Sequence, residues 1–276
     1  GVPQGSCLSP LLFNIFVRDM PRSTSCNSLQ FADDSSLFEC DSSLDAVKDK
    51  LTKGFSDILE YCSSRELTLN TTKTQFLIIK RATKRLPDPV VLTLNGINFP
   101  ALTSVKLLGV TIDRHLTFAE HVRNTVTKCN GLLGVLRRAA PSLLKDLLRL
   151  AYMALVRTHL EYSSGLFISA ARTHLTKLEI VQKIASRIIC DVPRNHSAPL
   201  LEELRFESLD SRRVAHVCQI VTKCLRGHIH PAFLSWFSAA EDGQIYITTQ
   251  PTSTSGRKRF RYAAAVLYNE QHGSNT

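Results

Sequence analysis

The sequence lacks the features that would assign it to a membrane or secreted class. No apolar run among its 276 residues reaches the roughly 18–20 residues needed to cross a bilayer. The first residues carry neither a charged leader nor a small-residue cleavage site, so we expect no signal peptide. The eight cysteines include no CxxC pair, and without a leader reduced thiols are the default. Together these absences predict an intracellular protein.

Positive charge, in contrast, is in excess and clustered. Lys and Arg total 34 against 24 Asp and Glu, for a net charge of +10. The clusters are "KRATKR" (80–85), "LRR" (136–138) and "GRKRFRY" (256–262). Clustered positive charge favours a polyanion partner, although a basic soluble surface is the alternative. Phe260 and Tyr262 in the last cluster could stack on bases or belong to the core of a short terminal element.

Hydrophobic periodicity divides the chain into a mixed part and a helical part. The first part predicts a helix from Ser9, a hairpin around Asp33 and Asp34, a helix over 43–65, and strands that include a hairpin at Asn95-Gly96. It ends with one buried strand, "VKLLGVTI" (105–112). Shorter predicted strands are "LTLN" (67–70), "QFLIIK" (75–80) and 244–248.

From Thr117 onward the pattern is helical. Thr117 and Glu120 predict a capping box at the start of a helix. Further helices are predicted over 142–163, 172–190, 198–205 and 209–226. We therefore expect an α+β fold, organised as a mixed domain (1–115), a helical bundle (116–235) and a polar, basic tail (236–276).

Two adjacent carboxylates, Asp33 and Asp34, lie at the predicted hairpin tip in "LQFADDSSLFEC" (29–40). Like charges this close require water or a cation, and Mg²⁺ prefers oxygen ligands. Paired metal ions can stabilise both the attacking and the leaving oxygen of a phosphoryl transfer. The alternative is a solvated turn, because Asp is a favoured turn residue.

A second candidate metal cluster consists of Cys218, Cys224, His228 and His230. These residue types suit zinc, but their spacing is unlike that of familiar zinc sites. Both cysteines fall on the apolar face of a predicted helix, where cysteine is a small apolar residue. We expect core cysteines and keep zinc as the alternative.

Four stretches then follow in a specific order: "PQGSCLSP", "FADD", "LNTTKT" and "LLGVTIDRHLTFAEHV". They resemble successive motifs of reverse transcriptases encoded by non-LTR, LINE-type retrotransposons. The resemblance covers residues 1–235 and, weakly, the basic tail. It implies part of a polymerase palm with the primer-grip region over 1–115 and an all-helical thumb over 116–235.

The resemblance also implies roles for the matched residues. Asp33 and Asp34 would be catalytic carboxylates that bind Mg²⁺, and Lys73 would neutralise the pyrophosphate leaving group. Gln4 and Gly5 would shape the nucleotide pocket, where glycine permits close approach of the backbone. The residues expected at the primer and template are Leu108, Gly109, Arg137 and Arg138.

The implied function is RNA-directed DNA synthesis by two-metal nucleotidyl transfer. The implied partners are an RNA template, a DNA primer and deoxynucleoside triphosphates, with nuclear residence of the parent protein. In this family another catalytic aspartate precedes the "PQGS" loop, so we expect the chain to be inactive alone. The alternatives are a non-catalytic nucleic-acid-binding relic and a metal-dependent phosphohydrolase. The phosphohydrolase predicts additional His or carboxylate ligands, and the sequence near Asp33 contains none at short spacing.

Overall fold

The computed structural model describes residues 3, 5–87, 89–168, 170–193, 199–240, 244–246 and 260–272. They form two compact units. The first consists of Gly1–Ile78 with Thr83–Val105, and the second consists of Ile79–Ala82 with Lys106–Thr276. Both helices and small sheets are present, so the predicted α+β class is confirmed. None of the helices described here is both long and apolar enough to cross a membrane.

The first unit combines helices with two small sheets. In chain order its elements are α1 (Ser9–Val17), β1 (Asn27–Phe31), β2 (Asp34–Phe38), α2 (Leu44–Ser64), β3 (Phe76–Leu77), β4 (Val91–Leu94) and β5 (Ile97–Leu102). Strands β1 and β2 form an antiparallel hairpin. The other sheet has the order β3-β5-β4, with β3 parallel and β4 antiparallel to β5. Its core includes Phe55 of α2 against Phe99 of β5, with ring centroids 6.5 Å apart.

Local sequence determines where α2 begins. The Ser43 side chain caps the helix by accepting from the Ala46 N–H at 3.4 Å. Asp41 accepts from the Ser43 N–H at 3.1 Å and from Lys50 Nζ at 3.0 Å. These two hydrogen bonds, of which the one from Ser43 has the larger effect, lower the pKa of Asp41 to about 2. Because α2 also carries an apolar stripe that includes Ile58, it is both capped at its start and packed along one side.

Helices dominate the second unit. Its elements are β6 (Ser104–Leu107, which begins in the first unit), β7 (Val110–Asp113), α3 (Ala119–Ala139), α4 (Lys145–Ala151), a π-helical segment (Tyr152–Arg157), α5 (Thr158–Glu161), α6 (Arg172–Cys190), α7 (Leu200–Glu203), α8 (Leu209–Leu225) and α9 (Phe260–His272). One buried cluster joins α3, the α4–α5 run and α6. A second cluster packs α8 against α9.

Three local predictions were wrong. Residues 105–112 form a hairpin rather than one buried strand, because Leu108 and Gly109 have left-handed φ values of 44° and 84°. "LTLN" (67–70) is not a strand. The expected capping box does not form, since Thr117 Oγ1 donates to Asp113 at 2.9 Å and α3 has no side-chain cap bond at its first residue.

The end of the chain contains a helix that periodicity did not predict. Helix α9 packs on α8, and Phe260 contacts the α8–α9 core with its ring 6.2 Å from that of Trp236. The alternative in which Phe260 belongs to a core is therefore the one observed. Residues 256–259 of the basic cluster lie outside the described part of the chain.

Candidate functional site

The two adjacent aspartates lie at the tip of the β1–β2 hairpin, as predicted. Phe31 pairs with Asp34, which leaves Ala32 and Asp33 as a two-residue turn. Ala32 has a left-handed φ of 53°, a conformation that costs a residue with a Cβ roughly 1–2 kcal/mol. Unfavourable backbone of this kind is concentrated at functional sites, which makes this turn a candidate.

The carboxylates of Asp33 and Asp34 are exposed to solvent. In the described part of the chain neither has a hydrogen bond or an ion pair, so their oxygens are not occupied by other protein groups. Unoccupied carboxylate oxygens on adjacent residues suit a hard cation such as Mg²⁺. Nowhere in the described part of the chain do three or more His, Cys, Asp or Glu side chains form a group that could hold a metal ion. A metal here would therefore depend on these two residues together with water or substrate oxygens.

Hydrogen bonds from the rest of the first unit reach one face of this hairpin. On that face Ser28 Oγ donates to the Pro21 carbonyl at 3.1 Å, and Ser35 Oγ donates to the Met20 sulfur at 3.7 Å. The opposite face exposes three large apolar side chains, Leu29, Phe31 and Phe38, which are 62%, 65% and 49% exposed.

Asp19 has a structural role that places it apart from the aspartate pair. It accepts hydrogen bonds from the Tyr61 hydroxyl at 2.7 Å and from Arg65. These contacts, led by the one from Tyr61, lower the pKa of Asp19, whereas burial raises the pKa of Tyr61 to about 12. Arg65 also donates to the Phe16 carbonyl at 2.9 Å, so the group ties the end of α1 to α2.

Of the other residues predicted in the first unit, the described ones, Gly5 and Lys73, form no hydrogen bond or ion pair with the aspartate pair. Gly5 has a left-handed φ of 86°, and a Cβ there would meet nothing within 4 Å. Gln4 lies outside the described residues. Lys73 is exposed in a turn where its N–H donates to the Asn70 side chain at 3.2 Å. Within the described residues its ammonium has no hydrogen bond or ion pair.

In the second unit, Leu108 and Gly109 form the turn between β6 and β7. Leu108 is 44% exposed. Its carbonyl accepts a 2.7 Å hydrogen bond from the hydroxyl of Tyr162. Tyr162 could not be predicted from the sequence, because it lies 54 positions from Leu108, near the end of the second predicted helix after the turn.

The connection from β7 to α3 is organised by one carboxylate. Asp113 accepts from the N–H groups of His115 (3.0 Å), Thr117 (3.1 Å) and Phe118 (2.7 Å). Burial raises the pKa of Asp113, but the hydrogen bonds outweigh burial and leave that pKa below its ordinary value. Asp113 thus satisfies three backbone N–H groups in the segment that leads into α3.

Arg137 and Arg138 lie in the last turn of α3, and both are exposed. Neither forms an ion pair within the described residues. Arg137 and Arg187 line an open groove of about 1140 Å³, together with Asp191 and with Lys145, which is paired with Glu203. This part of the bundle therefore presents positive charge to solvent, as contact with phosphates requires.

The Cys218 and Cys224 thiols are buried in the α8–α9 core. Burial raises both of their pKa values. Among the described residues they do not join His228 or His230 in a group of three possible metal ligands. The prediction of core cysteines is supported.

Comparison with known proteins places these features in a family. Residues 1–112 match the model of the family described as reverse transcriptase (RNA-dependent DNA polymerase). That segment contains the aspartate hairpin and reaches into β7. No solved structure matches the chain significantly.

Three relatives extend the similarity into the helical unit. The RNA-directed DNA polymerase from mobile element jockey of Drosophila funebris is 29% identical over 208 residues, covering 70% of this chain and 22% of that protein. The probable RNA-directed DNA polymerase from transposon BS of Drosophila melanogaster is 25% identical over 243 residues, covering 83% and 26%. The probable polymerase from transposon X-element of the same species is 28% identical over 203 residues, covering 68% and 21%.

Residues 1–112 thus match the reverse transcriptase family. More specifically, the chain is similar to RNA-directed DNA polymerases of non-LTR, LINE-type retrotransposons. It spans about a quarter of the length of these relatives.

Proposed function

We propose that this chain is the part of an RNA-directed DNA polymerase that contains the metal-binding hairpin, the primer grip and the thumb. Residues 1–115 act as part of the palm and 116–235 as the thumb, and helix α9 near the end of the chain packs on the thumb helix α8. The observation that carries the proposal is the exposed carboxylate pair at the β1–β2 turn, which has no hydrogen bond or ion pair to another described residue. The pair lies within the segment that matches the reverse transcriptase family. The substrates are an RNA template, a DNA primer and deoxynucleoside triphosphates.

Each group in the proposed site has a separate task. Asp33 and Asp34 hold Mg²⁺, which when bound stabilises charge on the reacting phosphate oxygens. Lys73 neutralises the departing pyrophosphate as a mobile point charge, in keeping with its exposure. Gly5, with Gln4, shapes the nucleotide pocket. Leu108 and Gly109 lie beside the primer strand.

The thumb supplies affinity without reading sequence. Arg137 and Arg138 contact duplex phosphates, which suffices for a polymerase that must bind any sequence. Their exposure and their lack of carboxylate partners in the described part of the chain support this role. In the parent protein we place this activity in the nucleus, where a chromosomal primer is available.

The decisive experiment measures RNA-templated primer extension with Mg²⁺. We would replace the matching segment of the jockey polymerase of Drosophila funebris with this chain, and compare it with Asp33→Asn in the same chimera. We expect synthesis to fall about a hundredfold or more in the variant. Asp49→Asn, which removes another exposed carboxylate of the first unit, serves as the control and should leave synthesis unchanged.

A second measurement tests metal binding by the chain alone. Mn²⁺, a paramagnetic substitute for Mg²⁺, should selectively broaden the amide NMR signals around Ala32–Ser35, and Asp33→Asn should abolish the effect. Two carboxylates on one turn are a weak site, so we expect no robust Asp33-dependent synthesis from the chain alone. Binding of primer–template without metal binding at this turn would instead support the non-catalytic relic.

A further inference from the structure

Two hairpins in this chain turn with nearly the same backbone but with different residues. Asn95 and Gly96 have φ values of 47° and 77°, and Leu108 and Gly109 have φ values of 44° and 84°. Asn-Gly is the dipeptide that best tolerates two left-handed residues in a hairpin. Leucine has no such tolerance, because its Cβ approaches the following carbonyl oxygen. The β6–β7 turn therefore requires support from outside the hairpin.

Tyr162 provides that support through two contacts. Its hydroxyl donates to the Leu108 carbonyl at 2.7 Å. Its ring covers Gly109 so closely that a Cβ on that glycine would lie 3.2 Å from a ring carbon. The hydrogen bond fixes the orientation of the Leu108 peptide group, and a larger residue at position 109 would require the ring to shift.

The residues that flank Tyr162 in the sequence are themselves bonded to other parts of the unit. The carboxylate of Glu161 binds Arg212 and also Arg157, whose Nε is 2.6 Å away. On the other side, a 3.1 Å hydrogen bond joins buried Ser164 to His216 Nδ1. Arg212 and His216 lie one turn apart on α8, so the segment that carries Tyr162 is fixed to that helix at two points.

We infer that Tyr162 is a positioning residue that holds the β6–β7 turn so that Leu108 meets the primer strand. This inference rests on the proposed function, because it assigns the primer to that turn. Leu108 is unfavourable for folding at a left-handed position and is 44% exposed. An exposed apolar residue in an unfavourable backbone conformation indicates a role in binding rather than in folding.

The test measures binding by the full chain with two labelled probes. One is a DNA primer with a recessed 3′ end on an RNA template, and the other is a blunt RNA–DNA duplex of equal length. Tyr162→Phe removes only the hydroxyl, and we expect about fivefold weaker binding of the recessed probe, the size of one lost hydrogen bond. Binding of the blunt probe should change less than about twofold, because phosphate contacts dominate it.

Tyr246→Phe is the matched control, because Tyr246 is a similarly exposed tyrosine of the same unit. It should leave the affinity for both probes unchanged. If Tyr162→Phe weakens both probes equally, or neither, the positioning role is wrong. If the unaltered chain does not prefer the recessed probe, the assignment of the turn to the primer is wrong, and the inference fails with it.

A stability cycle tests the support itself without nucleic acid. Leu108→Asn creates an Asn-Gly turn that needs little outside support. Tyr162→Phe should lower the midpoint of thermal unfolding by about 3 °C in the original chain. In the Leu108→Asn background the same change should lower it by less than about 1 °C. Equal shifts in the two backgrounds would overturn the claim that Tyr162 compensates for the leucine.

Discussion

The β1–β2 and β6–β7 hairpins both turn on two residues, but they are supported differently. The first has a left-handed Ala32 beside the aspartate pair, and one of its faces exposes Leu29 and Phe31. The second has a left-handed Leu108, and its turn is bonded to the helical unit through Tyr162. The carboxylate turn is thus open to solvent, whereas the leucine turn is fixed from outside.

This difference corresponds to the chemistry proposed for each turn. A pair of carboxylates that binds a cation needs solvent access and room for water and phosphate oxygens. An apolar side chain that orients a strand needs a fixed position, since small displacements reduce the value of a contact. The following variants test whether external support, rather than turn chemistry alone, distinguishes the two hairpins.

The largest effect on the free energy of unfolding is expected at Glu161, the residue before Tyr162. Glu161→Gln leaves Arg157 without a carboxylate partner and Arg212 with only Glu207, 3.4 Å away. The site is mostly buried, since the side chains of Glu161 and Arg157 are 18% and 12% exposed. Breaking such a pair leaves buried charge uncompensated, and we expect a loss of about 3 kcal/mol of unfolding free energy. The fluorescence of Trp236, the single tryptophan and a residue of the same unit, reports this transition in urea.

Asp41→Asn serves as the matched control in the first unit, because its partner Lys50 is 50% exposed. An exposed pair is screened by water, so the change in stability should be much smaller than that of Glu161→Gln. Equal losses from the two variants would contradict a special role for the Glu161 ion pair.

Acid should remove the same support. Burial raises the pKa of Glu161, but hydrogen bonds from Arg212 and Arg157 outweigh it, so that the pKa of Glu161 in the folded chain lies below 4.5. A lowered folded pKa stabilises the chain above the unfolded value, and the contribution is lost as the pH falls from about 4.5 through the folded pKa. The contribution of Glu161 to this support should therefore be insensitive to pH between 6 and 8. The free energy of unfolding, measured in urea by Trp236 fluorescence, should fall more steeply below pH 4.5 in the original chain than in Glu161→Gln.

The next largest change in stability is expected at Gly109, and Gly96, which has a similar φ, serves as the comparison. Gly109→Ala meets both a left-handed φ of 84° and the Tyr162 ring, whereas Gly96→Ala meets a φ of 77° and nothing within 4 Å. We expect losses of about 2 and about 1 kcal/mol, the difference representing the ring contact. Scanning calorimetry of the two variants measures both. A loss at Gly109 no larger than that at Gly96 would show that the ring does not restrict the turn.

Sequence predicted the parts of this fold that depend on local chemistry. Helix α6 was predicted with its observed bounds, 172–190, because its apolar stripe is regular. The Asn95-Gly96 turn and the placement of Asp33 and Asp34 at a hairpin tip were also predicted correctly. In each case the residues that specify the feature are adjacent or lie on one face of a helix.

Features that depend on distant residues were missed. Residues 105–112 read as one apolar strand, because no local residue except Gly109 marks the turn, and the Tyr162 contact that stabilises it lies 54 positions away. The cap at α3 was assigned to Thr117 and Glu120, although Asp113 organises that loop. Whether Asp33 and Asp34 bind metal, and whether Arg137 and Arg138 bind phosphates, remain predictions of the sequence resemblance.

The smallest effect is expected at Ala32, in the open hairpin. Ala32→Gly relieves the cost of a Cβ at a φ of 53°, but it also increases the entropy of the unfolded chain. The two effects partly cancel, and we expect a gain of about 0.5 kcal/mol in calorimetry. Ala46→Gly, inside α2, is the opposite case and should cost about 0.5–1 kcal/mol. In the part of the chain that the structure describes, no hydrogen bond or ion pair from outside the hairpin reaches Ala32 or Asp33. A loss at Ala32 would therefore mean that the alanine side chain has a supporting contact of its own, which would remove the contrast with Leu108.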